Sequence, residues 1–459
     1  MKIHNITSIC TVLEGDVLEC LKSMPDGSVN VCVTSPPYWG LRSYLKSDDP
    51  LKQYELGSEK TPADYIAAQV AVFRECRRVL HPTGVLAVNI GDTYSSGGRA
   101  DYGVTNDSDK QFTNAAVKEA NRPEQPPDCQ QGEPVGIPDM LKNALRADGW
   151  RHRDTVIWAK PAPMPQSVGA WRWERCKVKV KARPVDNERT SGGERYNQAY
   201  TRPQNIATYA DCPGCPKCLP HGGYVLCKGQ WRTTTSHESI FLFVKSDRYF
   251  CDAAGVKEAA TGATLARNQY SRVIDDPDEQ YAVAHDHEFT GGTRNPRSVQ
   301  TWGPEPCKFS HYAAFPSALP RFYIRAATSP KSCCPTCGTP WSPVVERSGT
   351  PSESHKGSRF DVGKTGERDG GDRTQEGERF DTSLVGYRPS CDCPPLPSVP
   401  CRVLDPYAGT GTTLAVAESM GMISVGIELN PKYVEMIRQR ILYENIGSGK
   451  DIISGKKFF

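Results

Sequence analysis

No stretch of the 459-residue chain is apolar for long enough to span a bilayer, which excludes a helical membrane span and a membrane partner. The opening MKIHNITSICTVLEGD lacks a charged segment followed by an apolar core. No secretory signal is therefore expected, and the chain is expected to stay in the cytoplasm. Bulk charge is nearly absent as well: 56 Lys and Arg against 53 Asp and Glu leave +3, so total charge does not argue for nucleic acid. There are no internal repeats, which excludes repeat architectures. There is no G-x-G-x-x-G, which speaks against a dinucleotide site.

What is present is a globular composition with generous loops: 37% hydrophobic and 24% charged residues, with 40 Gly and 37 Pro. The length allows one large domain with insertions, or two to three domains. Charge is unevenly placed. Residues 171–203 carry nine Lys or Arg and four Asp or Glu, with Trp171 and Trp173 at the front. A basic stretch with aromatics suits phosphate contacts and base stacking, although a solvated charged loop has the same composition. The 18 cysteines are clustered, four in 212–227 and five in 333–393. In a cytoplasmic chain this argues against disulfides and toward metal.

Strand and helix patterns alternate over residues 1–95. VNVCVTS (29–35) is a β-branched strand ended by two prolines, 62–79 has a helical apolar period, and GVLAVNIGD (84–92) is apolar enough for a strand buried on both faces. The alternation predicts a parallel, doubly wound α/β sheet. Residues 95–135 read as a surface loop, with a helix near 138–148 and strands at 152–159 and 239–246. The segment 161–305 reads as an insert, and 345–390 is too polar to fold by itself. Residues 401–445 form a strand–turn–helix–strand–helix unit.

In that last unit, RVLDPYAGTGTTLAVAESMG (402–421) is a strand, a glycine-rich turn and a helix. Asp405 closes the strand, Gly409 and Gly411 bracket the turn, and Gly421 is a C-cap. Glycines without side chains let a ligand approach the backbone, and the helix start offers free N–H groups. ISVGIEL (423–429) is the next strand, with Glu428 at its tip where an acid can hold both ribose hydroxyls. Asn430 and Pro431 then cap and start a helix.

The second signature is Thr34-Ser35-Pro36-Pro37-Tyr38, directly after the strand 29–35. An exocyclic base amine is a poor nucleophile because its lone pair is delocalised into the ring. It becomes reactive when two acceptors bind its hydrogens and draw the nitrogen toward tetrahedral geometry. Ser35 Oγ and the Pro36 carbonyl can serve, Pro36 and Pro37 stiffen the backbone that aims them, and Tyr38 can stack on an extruded base.

Together these motifs resemble the permuted, β-class, site-specific DNA amino-methyltransferases. D-P-x-A-G-T-G-T-T followed by I-E-L-N is similar to their S-adenosylmethionine site, and S-P-P-Y to their catalytic loop. The catalytic loop near 35 precedes the cofactor loop near 409, with a long insert between, which matches that class. Asp16 resembles a G-D step beside the cofactor adenine. HYAAFPSALP resembles the motif that closes over the methionine, with Phe315 and Pro316 at its centre.

The resemblance implies a Rossmann-like S-adenosylmethionine-dependent sheet with permuted motif order. It implies cofactor contacts from Asp16, Thr34, Phe315, Pro316, Asp405, Pro406, Gly409, Gly411, Thr412 and Glu428, and catalysis by Ser35 to Tyr38. It also implies methylation of double-stranded DNA, with a separately encoded restriction nuclease as companion. Ser at position 35 favours cytosine N4 over the alternative, adenine N6. An RNA methyltransferase and a non-catalytic zinc protein that binds DNA are the weaker readings.

The cysteines carry their own prediction. Cys212, Cys215, Cys218 and Cys227 have zinc-ligand spacing, with Cys176 or His221 as other choices for the fourth place. Cys334, Cys337, Cys391 and Cys393 form a second set, with Cys333 spare beside it. Both are expected to hold structural zinc in modules that touch DNA. The expected organisation is 1–160 catalytic half, 161–305 target-recognition insert, 306–330 cofactor-closing motif, 331–400 second cysteine cluster, and 401–459 cofactor half.

Overall fold

A computed structural model describes residues 1–40, 44–45, 48–95, 126–163, 171–180, 208–229, 231–259, 293–303, 305, 315–348 and 381–444. Most of the expected 95–135 loop, the basic stretch beyond 180, His311 to Ala314 and the centre of the polar 345–390 tract lie outside these residues. The chain divides into two compact units, Met1–Ala162 with His237–Phe459, and Pro163–Ser236.

The first unit is built on nine strands. They are β1 (Lys2–Asn5), β2 (Cys10–Glu14), β3 (Val29–Thr34), β4 (Leu80–Ile90), β5 (Arg151–Ala159), β10 (His237–Val244), β13 (Val299–Thr301), β16 (Arg402–Asp405) and β17 (Ile423–Glu428). Their order across the sheet is β1-β2-β17-β16-β3-β4-β10-β5-β13. The C-terminal strands thus sit between N-terminal strands, with β16 hydrogen-bonded to β3 in parallel at Val403–Val31.

The sheet is mixed, where the sequence pattern predicts a parallel one. β1 runs against β2, and β10 runs against both β4 and β5. Strand–helix alternation says nothing of direction once a strand returns after a long insert, as β10 does. Because β10 belongs to this sheet, the second compact unit is shorter than the expected insert 161–305.

All six residues of β3 are buried, as a strand covered on both faces requires. Cys32 joins the layer formed by the helices Val17–Lys22, Pro62–Val79 and Ile137–Ala147. Val31 and Val33 join the opposite layer, with Leu319 and Ile324 of helix Ala318–Ala327 and Val416 of helix Thr412–Ser419. The period of two therefore divides one strand between two cores. Helix Pro62–Val79 starts where the sequence says it should: Thr61 Oγ1 accepts from Asp64 N at 3.1 Å and Pro62 takes the first helical place. Among the described residues no helix is long and apolar enough to cross a membrane.

Two small ladders complete this unit, β11 (Glu258–Ala259) with β12 (Thr293–Arg294), and β14 (Ser342–Ser348) with β15 (Asp381–Arg388). Cys333 and Cys401 form a disulfide, with Cα atoms 5.4 Å apart. This corrects the expectation that the cysteines avoid disulfides. Both residues are fully buried at the amino start of β16, where packing holds them together.

The second unit has two short ladders, β6 (Arg172–Arg175) with β9 (Tyr224–Cys227) and β7 (Lys177–Val180) with β8 (Thr208–Asp211). Among its described residues the one buried hydrophobic is Cys218. So small an apolar core needs another source of stability.

Candidate active site

The parallel strands β2, β17, β16, β3 and β4 end along one edge of the sheet, where α/β folds place ligands. β5 also ends there, and β10 starts there because it runs the other way.

Glu428 closes β17, opposite Glu14 of β2. Its carboxylate accepts from Gly409 N at 2.9 Å and Asn430 N at 2.8 Å. Burial pushes its pKa up to about 7 against these two amide donors. Gly409 has φ +52°, and a Cβ placed there would meet nothing nearer than Tyr407 O at 3.9 Å. The glycine is thus required by its left-handed backbone and faces open space, which is the cradle a ligand needs. Gly411 is different: its φ is +79° and a Cβ would press Ile437 at 3.0 Å, so it serves the packing of the helix it caps.

Asp16 caps helix Val17–Lys22 through Glu19 N at 3.0 Å, two residues beyond β2 and beside the Glu428 strand end. These groups fit S-adenosylmethionine. An open glycine turn meets a half-buried carboxylate whose remaining lone pairs can accept two hydroxyls, and a second acid lies beside them.

The Ser35–Tyr38 loop is joined to this cradle by a buried bond. Thr34 Oγ1, at the end of β3, donates to Asp405 Oδ1 of β16 at 2.6 Å, and Tyr407 N donates to the same oxygen at 3.1 Å. Burial raises the Asp405 carboxyl to about 6. Asp405 and Thr34 are fully buried, so they fix the two loops relative to each other. Thr412 is also buried, in the first turn of the helix after the glycines. Pro406 lies in the turn between Asp405 and that helix, and Phe315 packs against the layer that faces Val31 and Val33. Pro316 is buried at the start of helix Ala318–Ala327 and accepts from Leu319 N at 3.1 Å.

Within the loop, the Pro37 carbonyl is held by the Tyr65 hydroxyl at 2.8 Å. Ser35 Oγ is loosely held, 3.4 Å from both Asn89 Nδ2 and the Tyr38 hydroxyl. Tyr38 donates to Glu238 Oε2 at 2.6 Å, and Asn89 Nδ2 donates to Tyr38 at 2.9 Å and to Glu238 at 2.8 Å. Lys160 forms an ion pair with the other Glu238 oxygen. Burial, then the Glu238 charge, push the Tyr38 phenol well above its usual range, so it stays a neutral donor. Gly91 lies under the Tyr38 ring, where a Cβ would come within 2.8 Å of Cε2.

Asn89, Gly91, Lys160 and Glu238 are site residues that pattern reading missed. The signal was an amide and an acid inside otherwise apolar strands, VNI and HESIFLF.

Among the described residues the cysteines make two quartets, Cys176 with Cys212, Cys215 and Cys218, and Cys334 with Cys337, Cys391 and Cys393. In each the sulfurs lie within 4.8 Å of one another. The Cys176–Cys215 and Cys215–Cys218 sulfur separations are 3.8 and 3.6 Å. A tetrahedron with zinc–sulfur bonds of about 2.3 Å has edges of roughly 3.8 Å.

The second quartet is the expected one, but the first is corrected. Cys227 donates to Glu174 Oε2 at 3.3 Å and takes no part, and His221 packs on the Trp173 ring at 4.8 Å. Cys176 takes the fourth place because its carbonyl accepts from Cys212 N at 2.8 Å, which seats the two residues side by side. The second quartet lies at the amino ends of β3 and β16, where Asn30 Nδ2 donates to Gly338 O at 2.8 Å and Asn30 Oδ1 accepts from Arg402 N at 2.8 Å. It is thus at the sheet edge opposite the Ser35–Tyr38 loop.

The chain matches the family described as DNA methylase over residues 29–334 and 402–439. It is similar to the type II methyltransferase M.XycI of Xanthomonas campestris pv. cyanopsidis, 28% identical over 95% of this chain and 88% of the relative. It is 27% identical to the type II methyltransferase M.Cfr9I of Citrobacter freundii over the same shares. Among solved structures it resembles PvuII DNA methyltransferase (cytosine-N4-specific), with 14% identity, 96% of this chain and 89% of that chain covered, and a TM-score of 0.44.

Proposed function

The chain belongs to the DNA methylase family, and on that premise we propose that it methylates cytosine N4 in double-stranded DNA, on a base extruded from the duplex. It is a DNA amino-methyltransferase that uses S-adenosylmethionine. The observation that carries the site assignment is the 2.6 Å bond from Thr34 to Asp405, which joins the Ser35–Tyr38 loop to the Gly409–Glu428 cradle across adjacent strands.

S-adenosylmethionine, when bound, supplies an electrophilic methyl group on a sulfonium. Glu428, Gly409 and Asp16 would hold its nucleoside end, and the turn Asp405–Thr412 with Phe315 and Pro316 would hold the rest. Ser35 Oγ and the Pro36 carbonyl accept the two amine hydrogens and localise the nitrogen lone pair. Tyr65, on the Pro37 carbonyl, leaves that of Pro36 to the base. Tyr38, seated on Gly91, stacks on the base. Transfer would be direct, with no covalent enzyme intermediate: the N–C bond forms as the S–C bond breaks, the thioether S-adenosylhomocysteine leaves, the methylated amine gives up one proton to solvent, and orientation and hydrogen bonding supply the rate.

Ser rather than Asp at position 35 supports cytosine: its neutral hydroxyl can also donate to a neighbouring base-edge acceptor. The motif order is read as the permuted β class, with β16 and β17 inserted between β2 and β3. The Pro163–Ser236 unit is the target-recognition module. It exposes Trp171, Trp173 and Trp231, and Lys228 stands over the Trp171 ring at 5.2 Å. Rings and cations in such a pattern meet bases and phosphates. Both quartets hold structural zinc, and a separately encoded nuclease of the same specificity is the expected companion.

The test is to incubate DNA with the protein and S-adenosylmethionine, digest it to nucleosides and identify the product by mass spectrometry. N4-methylcytosine is expected. N6-methyladenine in its place would overturn the base assignment alone.

A further inference from the structure

Glu238 stands where three elements meet. It is the second residue of β10, the strand by which the chain returns to the sheet after the Pro163–Ser236 unit. Lys160 lies just past the end of β5, the strand from which the chain departs. The ion pair between them therefore closes the neck of the insertion, and Lys160 is held in place over the Trp158 ring at 4.8 Å. The second Glu238 oxygen faces the other way, into the catalytic loop, where it accepts from Tyr38 and Asn89. One carboxylate thus grips the neck with one oxygen and the stacking tyrosine with the other.

We propose that Glu238 is a positioning residue for methyl transfer: it fixes the Tyr38 ring and ties that ring to the neck of the DNA-reading unit. The role rests on the methyltransferase reading of the Ser35–Tyr38 loop. A packing role alone would not need a charged group at this place. Burying a carboxylate is costly unless its oxygens are satisfied, and here all the partners offered are donors from the catalytic loop, from Asn89 and from the neck. The Tyr38 ring has no freedom on its lower side because Gly91 lies flush beneath it. Its hydroxyl is the remaining handle, and Glu238 with Asn89 holds that handle. Loss of the grip lets the ring tilt about its Cβ, and misplacement of about 1 Å at a reacting pair lowers rates by about 10²-fold.

The experiment is a double-mutant cycle on the full chain with Glu238→Gln and Tyr38→Phe, measuring kcat and KM for DNA and the Kd for S-adenosylmethionine. Each single variant should lose about 10- to 100-fold in kcat, since both release the ring. The cofactor Kd should stay at the wild-type value, which also shows that the variants fold. The double variant should be no slower than the slower single one, because both changes break the same link. Losses that multiply, or wild-type kcat in Glu238→Gln, would overturn the proposal. If Glu238→Gln does not fold, Lys160→Met replaces it, removing the grip on the neck but not the bond to Tyr38. A kcat loss of about threefold or more supports the link, and an unchanged kcat overturns it. The wild-type protein in the same assay separates the two levels: no methyl transfer from it would remove the methyltransferase reading itself, whereas transfer with a multiplicative cycle would remove only the role of Glu238.

Discussion

The two edges of the central sheet are built to different rules. At the amino edge the chain closes on itself: Asn30 serves both Gly338 and Arg402, and the Cys334 quartet and the Cys333–Cys401 disulfide sit there, with Ser424 Oγ and Trp150 Nε1 the buried polar atoms near the starts of β17 and β5 that lack a partner among the described residues. At the carboxyl edge the groups are held but not used up. Half-buried Glu428 and buried Asp405 are acids raised to about 7 and 6, Ser35 has two long hydrogen bonds of 3.4 Å, and Asn89 Oδ1 is buried with no donor among the described residues. Buried groups left short of partners are destabilising. At the carboxyl edge they lie beside the open Gly409 turn, where a ligand can complete them, whereas the amino edge carries the cross-links that supply stability.

Removing metal should separate the edges most strongly. Elemental analysis should find about two zinc ions per chain, one per quartet. Chelation should unfold the Pro163–Ser236 unit, whose described residues include a single buried hydrophobic, Cys218, because structural zinc contributes about 10 kcal/mol or more to small modules. DNA binding should then fall while the first unit, if its own zinc is retained, still binds S-adenosylmethionine. Protein purified without chelators that contains no zinc would break this side of the comparison.

A smaller effect is expected from Glu428→Ala. Calorimetry should show S-adenosylmethionine binding weakened by about 1–3 kcal/mol, the cost of losing charged hydrogen bonds, with little change in melting temperature. An unchanged affinity would remove Glu428 from the ligand site.

The smallest effect is a pH dependence of the same affinity. The Glu428 carboxyl is raised to about 7, and the ribose hydroxyls would donate to its ionised form. Below pH 7 the acid must lose a proton on binding, so affinity should fall by up to about tenfold per pH unit on acidification and level off above 7. Asp405, raised to about 6, raises Glu428 while it is ionised, so its protonation at lower pH eases the fall. Glu428→Gln should flatten the profile. A profile equally steep in the variant would assign it to another group.

The carboxyl edge was legible where chemistry is local. The Pro-Pro break after β3, the glycines at 409 and 411 and the Asn430–Pro431 helix start are short patterns, and each sits where its pattern puts it. What was not legible comes from distant strands. Glu238 meets Tyr38 across 200 residues, and Cys176 joins Cys215 across 39, because backbone pairing brings them together and no spacing rule does. The direction of β10 was hidden for the same reason: a strand returning after an insertion carries no sign of its orientation. The disulfide was missed because compartment and composition argue against it, whereas its partners are set by burial at the start of β16. Amino-edge function is likewise absent from motif reading, since cysteine spacing gives a ligand set but not which edge it closes.

The central claim is that chemistry lives at the carboxyl edge and stability at the amino edge. Its most direct test is labelled methyl transfer from S-adenosylmethionine to DNA, measured together with cofactor affinity and melting temperature. Three proteins are compared: wild type, Ser35→Ala and a Cys334→Ser/Cys391→Ser double variant. The account predicts that Ser35→Ala loses about 10²-fold or more in turnover with wild-type affinity and stability, since the lost contact is to the base. The cysteine variant should melt at a lower temperature and, below its transition, turn over like wild type. Wild-type turnover in Ser35→Ala, or a turnover loss in the fully folded cysteine variant, would contradict it.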